Sequence, residues 1–285
     1  MGRYLAGFGR RAVNARGSAG RAGGLAKRID ARVVALGARA LGFLEALAAF
    51  LRFSAGVLAA LPAAARDFRP ARAQLIGIGA SSLPLVAFIS VFTGAVAAWQ
   101  AAYNFADYVP LRYVGSAVGK SVMLELGPVL TALVVAGRAG AAMAAELGTM
   151  AVTEQLDAMK ALGLNARRLL FAPRVLASII ALPLLTVFSS AIALLGALAV
   201  VAIFRDMAPQ TFFFGVRLFY ADRDLIAGLA KAAVFGGWIG LFGCWFGASS
   251  ARGAEGVGKA AMSAVVFADL AILISGFVLS KLLLA

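Results

Sequence analysis

No charged residue occurs between Arg72 and Asp107, and this gap constrains the fold more than any other feature. A helix rises about 1.5 Å per residue, so the apolar run from Leu75 to Ala102 reaches about 40 Å. The hydrocarbon core of a bilayer is about 30 Å thick, which the run crosses with tilt. Pro84 lies inside it and predicts a kink. Trp99, Tyr103, Tyr108 and Tyr113 gather at its far end, as an interfacial aromatic belt does.

Four further spans are expected. The second, Ser121 to Ala145, is interrupted by Glu125 and Arg138. The third, Val175 to Phe204, is free of charge and contains Pro183. The fourth, Leu225 to Ala248, contains only Lys231, and the fifth, Ser263 to Leu284, contains Asp269 and ends with Lys281. Hydrophobic residues make up 62% of the chain and charged residues 14%, too few charges to cover a water-facing surface, so lipid is the main solvent. The expected fold is an all-α membrane protein of five transmembrane helices (residues 73–285) behind a basic interfacial helix region (residues 1–72).

That first region carries thirteen Lys/Arg against three acids. Residues 1–24, rich in Arg, Gly and Ala, read as a flexible basic tail with some likeness to an organelle transit peptide. From Leu25 to Leu61 the pattern is helical, but Arg28, Arg32 and Arg39 recur too often for a span, which predicts one or two helices lying in the interface. Attraction to anionic headgroups on the cytoplasmic face explains the charge. No aromatic-basic stripe or recognition motif accompanies it, so no nucleic-acid partner is expected. A cytoplasmic N-terminus places loops 103–120 and 205–224 outside and loops 146–174 and 249–262 inside, with the C-terminus outside. In the outer loop 205–224, Phe212, Phe213, Val216, Phe219 and Tyr220 fall at helical spacing, predicting a short interfacial helix.

The chain has one cysteine, Cys244, and no histidine. A disulfide framework, a Cys/His zinc site and a histidine base are therefore excluded within one chain. No phosphate-binding loop and no serine nucleophile elbow occurs. The expectation is a protein that is not an enzyme, with no cofactor or metal and with its energy source in another subunit.

Charges inside the spans are costly unless paired or hydrated. Glu125 and Lys231 fall near the outer ends of their spans, where they either pair or line a cavity opening outward. Asp269 falls nearer the inner half. Gln100, Trp99 and Tyr103 end the first span as belt residues and are candidate cavity residues with these three. Arg138 is expected to snorkel to phosphates. Gly236, Gly240, Gly243 and Gly247 draw one stripe along the fourth span, and Gly137, Ala141, Ala145 and Gly148 another on the second, the pattern of close helix packing.

Between the second and third spans, Thr153 to Leu164 forms a short amphipathic segment. Glu154 and Asp157 share one side, Leu156, Met159 and Leu162 lie elsewhere around it, and Gly163 gives a stop. It reads either as an ordinary structured loop or as a helix that carries force from a docked partner into the membrane.

The run ELGPVLTALVVAGRAGAAMAAELGTM, followed by EQLDAM, ALG and PR between Glu125 and Pro183, resembles the MlaE-type permeases of the MCE-associated ABC lipid transporters. The resemblance extends from about Ser90 to the C-terminus. It implies a permease homodimer bound to an ABC ATPase, whose groove receives a loop helix centred on Glu154, Gln155, Asp157, Ala158, Met159 and Gly163. It further implies lipid cargo, of the phospholipid class, exchanged with an MCE-domain protein, and a bacterial inner membrane. One departure is Leu124, where many relatives have arginine before the E-L-G-P motif; Lys120, one turn earlier, is the candidate substitute. The competing class is an ion-coupled carrier or channel that uses Glu125, Lys231 and Asp269 as a charge relay.

Overall fold

A computed structural model describes residues 23–105, 110, 112–218 and 220–284. The basic tail through residue 22, and Asp107, Tyr108 and Phe219 of the outer loops, lie outside the described residues. The chain divides into two compact units, residues 1–59 and 60–285. It is an all-α membrane protein.

The elements are α1 (Gly23–Arg66), α2 (Arg69–Phe105), α3 (Arg112–Ser121), α4 (Gly127–Val135), α5 (Ala141–Val152), α6 (Gln155–Ala161), α7 (Ala172–Arg205), α8 (Pro209–Leu218), α9 (Asp222–Ala248) and α10 (Ala254–Leu284). Turns of π-helix at Val122–Leu126 and Ala136–Gly140 join α3, α4 and α5 into one rod, and a third at Arg167–Phe171 leads into α7.

Six helices among the described residues are long and apolar enough to cross a membrane, one more than the five expected. The additional candidate is Leu44–Arg66 within α1. The basic residues Arg28, Arg32 and Arg39 all precede it, and after Leu44 only Glu45, Arg52 and Arg66 interrupt the apolar sequence. Averaging the two halves of α1 hid the apolar one. Leu44, Leu47, Leu51 and Leu58 are exposed along it.

The outer loop expected at 103–120 is in large part helical. Arg112 and Lys120 break the apolar pattern there, yet α3 packs against α8 closely enough that a Cβ at Gly115 would strike the Phe212 carbonyl and one at Gly215 the Arg112 carbonyl. Ser116 Oγ donates to the Gly215 carbonyl at 2.5 Å. Small residues bring the two backbones together, and Val114, Val118, Phe212 and Val216 fill the space beside them.

In the helix bundle, α2 and α7 run parallel. Ser90 Oγ lies 2.8 Å from Ser189 Oγ, Gly94 sits on the Ala193 carbonyl and Gly196 on the Val91 carbonyl. Toward the ends of both helices, Trp99 packs edge-on against Phe204 at 5.4 Å. Helix α9 runs antiparallel to α7, with Gly236 on the Ser178 carbonyl and Gly240 2.8 Å from Val175 Cα by its missing Cβ. The same stripe continues along α5, where Gly243 faces Gly140 and Gly247 faces Ala144 and Leu147. Without a hydrophobic effect between helices in lipid, such backbone approach is what packing uses. Gly137 departs from its expected place in the second stripe, because open space surrounds it.

Arg138 also departs from expectation. It crosses to α2, giving Nε to Ser82 Oγ at 3.0 Å and Nη2 to the Gly77 and Ile78 carbonyls at 3.0 and 3.2 Å. Acceptors on α2 thus take Nε and Nη2 of the guanidinium.

Candidate functional site

The first turn of π-helix carries Glu125, and the π-turn after α4 carries Arg138. A π-turn inserts one residue and so rotates the side chains that follow it; such turns are frequent at functional sites. Pro128 stands three residues after Glu125 and has no N–H to give the carbonyl of residue 124, four positions earlier. Lys231 of α9 fills that gap, with Nζ 3.1 Å from the Leu124 carbonyl.

The same ammonium donates to Glu125 Oε1 at 2.6 Å and to Ser280 Oγ of α10 at 2.8 Å. Ser280 Oγ in turn lies 2.7 Å from Glu125 Oε1 and 2.7 Å from the Gly276 carbonyl. The Lys231 side chain is 0% exposed, whereas that of Glu125 is 43% exposed. Three helical elements thus meet at one charge pair, whose cation is enclosed and whose anion remains half open. Removing one partner of a buried pair leaves an uncompensated charge and costs about 3–5 kcal/mol. Ser280 was not legible beforehand, because a serine in an apolar helix signals nothing by itself.

The other candidate cavity residues are placed elsewhere. Trp99, Gln100 and Tyr103 are exposed near the end of α2. Asp269 precedes Ser280 by eleven residues on α10, about 16 Å along the helix. Its Oδ1 is buried without a hydrogen-bond partner among the described residues. Lys120, the candidate substitute for an arginine at position 124, is engaged by Asp224 at 3.4 Å. Leu124 itself is buried.

Toward the opposite end of the rod, Arg174 and Glu146 pair at 2.6 Å, with Arg174 Nη1 also donating to the Leu170 carbonyl at 3.0 Å. This pair went unremarked in the sequence, since each residue looks like the edge of a loop. It anchors both helices that flank the segment 153–166.

In that segment, Leu156 is buried and Met159 half-buried, while Thr153, Glu154, Gln155, Asp157, Ala158, Lys160, Leu162 and Leu164 are exposed. Glu154 enters α6 with φ 60°, the left-handed region that non-glycine residues seldom occupy. It lies 3.7 Å from Arg252 in the turn between α9 and α10. Gly163, at φ 72°, closes α6: Leu164 N–H donates to the Met159 carbonyl at 2.9 Å and Gly163 N–H to Lys160 at 3.0 Å, a Schellman stop. The Lys160 ammonium, hydrogen-bonded to Asp157 at 2.8 Å, holds the Asp157 carboxyl below its ordinary range.

Residues 72–282 match the family described as Permease MlaE. The chain belongs to the MlaE permease family. Among the relatives of this MlaE permease, a probable ABC transporter permease protein of Rickettsia bellii is 37% identical over 247 residues, covering 87% of this chain and 95% of its own. The intermembrane phospholipid transport system permease protein MlaE of Haemophilus influenzae is 31% identical over 257 residues, 88% of this chain and 97% of its own. The chloroplastic protein TRIGALACTOSYLDIACYLGLYCEROL 1 of Arabidopsis thaliana is 34% identical over 208 residues, 73% of this chain and 59% of its own.

Proposed function

We propose that this MlaE permease moves phospholipid between a bacterial inner membrane and an MCE-domain partner, driven by a separate ABC ATPase. Two copies pair, each carrying a lipid site beside Glu125. The observation that carries this reading is the exposed, rigidly terminated helix α6, held between two spans whose bases are tied by Arg174 and Glu146. A partner that pushes on α6 moves both spans together. The Haemophilus relative, a permease protein of an intermembrane phospholipid transport system, supports the cargo.

The N-terminus is cytoplasmic and the C-terminus periplasmic in this reading, with α1 lying at the interface and five helices crossing. Reporter fusions at the two termini are expected in opposite compartments; the same compartment for both would establish Leu44–Arg66 as a sixth span and move the C-terminus inside.

The coupling role is tested by reversing charge on the exposed side of the loop. Glu154→Lys with Asp157→Lys is expected to reduce ATPase recovery with the purified permease by about a hundredfold, since like charges at a docking face cost several kcal/mol. Both side chains are solvent-exposed, so membrane insertion and permease yield are expected to hold. Full ATPase recovery from the double variant would move the docking site off α6.

A further inference from the structure

The charge pair has a polarity that decides which headgroup it accepts. A lysine ammonium has three N–H donors, and all three are committed: to the Leu124 carbonyl, Glu125 Oε1 and Ser280 Oγ. The ammonium is also fully enclosed. Lys231 therefore has nothing left to offer a phosphate. Both hydrogen bonds to Glu125 land on Oε1, while the carboxylate is 43% exposed. The group presented outward is an anionic acceptor, Oε2.

Its surroundings sharpen the point. Phe277 of α10, one helical turn before Ser280, is exposed, so an open apolar side chain lies on the same side of α10 as Ser280. Lys231 and Ser280 meet this carboxylate at Oε1 alone, which leaves Oε2 as the acceptor on its open side. The triad lies toward one end of the bundle: Lys231 is nine residues from the start of α9, and Ser280 four from the end of α10. At about 1.5 Å per residue these are about 14 and 6 Å, within the half of each helix nearer that end.

We infer that Glu125 Oε2 is a headgroup-selecting contact that receives a primary ammonium, so the lipid this site prefers is of the phosphatidylethanolamine type rather than a purely anionic one such as phosphatidylglycerol. The inference rests on the lipid-transport reading and deepens it: a site with a saturated lysine and an open carboxylate attracts N–H donors and repels bare phosphate charge. The contact is a charge-assisted hydrogen bond, formed where water is partly excluded.

The test uses the permease purified with its ATPase and reconstituted into vesicles of equal parts phosphatidylethanolamine and phosphatidylglycerol. A photo-crosslinking residue replaces Phe277, three positions before Ser280, or, as a reference facing bulk lipid, Phe88 on α2; both are exposed. The ratio of ethanolamine to glycerol adducts at 277 is expected to exceed that at 88 by about fivefold, the scale of a part-exposed charge pair. In Glu125→Gln the two ratios are expected to be equal. Because that variant strands the buried Lys231, Glu125→Gln with Lys231→Met is made alongside it; methionine fills the volume without a charge, and equal ratios are expected there also. Equal ratios in the wild type, or an enrichment that survives both variants, overturns the headgroup assignment while ATP-driven phospholipid transfer in the same vesicles continues. Loss of that transfer in the wild type overturns both the assignment and the reading beneath it.

Discussion

Glu125→Lys is expected to lower the thermal midpoint of the detergent-purified complex by more than any other single charge change in the spans, and Lys231→Glu added to it is expected to recover only part of the loss. The first half follows from enclosure: two ammonium groups would face each other, one of them without access to solvent. Stranding one charge costs about 3–5 kcal/mol, and like-charge contact adds to it. The second half follows from the third partner. Leu124 offers a carbonyl oxygen at 3.1 Å, left open by Pro128. A carboxylate at position 231 would meet that acceptor with another acceptor. The lysine at 125 would restore one ion pair, and Ser280 could still donate to the new carboxylate, but the Leu124 carbonyl would lose its donor. Complete rescue would show that the Leu124 contact contributes nothing; an unaffected single variant would show that the pair does not hold the helices together.

The second large effect lies in the seam between α2 and α7. Gly94→Ala is expected to destabilise the complex by about 3 kcal/mol, the upper range of overpacking, although it adds one methyl group and improves helix propensity. The added Cβ would fall on the backbone carbonyl of Ala193, and a backbone atom cannot rotate away as a side chain does. The reciprocal position, Gly196 against the Val91 carbonyl, predicts the same outcome. Gly137→Ala serves as the comparison, because nothing surrounds that position, and it is expected to leave the midpoint unchanged or raise it slightly. Equal effects at positions 94 and 137 would mean that α2 and α7 are not in backbone contact.

The all-α membrane class was readable because charge-free runs of that length admit few solutions in lipid. The position of Glu125 stood out for the same reason: a carboxylate interrupting apolar sequence demands a partner. What the sequence could not supply was the choice among partners. Lys231 shares its span with no other charge, yet nothing in the local pattern points to Ser280, or to the Leu124 carbonyl as the third acceptor. Arg138 shows the same gap from the other side, since snorkelling and bonding to a neighbouring helix look identical until that helix is in place. The α3–α8 contact escaped notice because its closest approach is made by glycines and a serine, and the valines of α3 stand between Arg112 and Lys120, which break the apolar run. The first helix is basic up to Arg39 and apolar from Leu44, and a pattern read across both halves shows a helix without showing that its second half is long and apolar enough to cross.

Three charges had been candidates for an ion relay. Lys231 and Glu125 are bonded to each other, and Asp269 stands about 16 Å away along α10, with no hydrogen-bonded chain between them among the described residues. That arrangement favours a headgroup site over a conduction path.

Transfer of phospholipid from vesicles by the permease reconstituted with its ATPase, measured with and without ATP, addresses the central claim directly. The account predicts transfer that requires ATP hydrolysis and falls to the ATP-free level when Glu154 and Asp157 are both changed to lysine. Phospholipid transfer that ignores ATP, or an ion flux driven by a gradient in the absence of the ATPase, would contradict it.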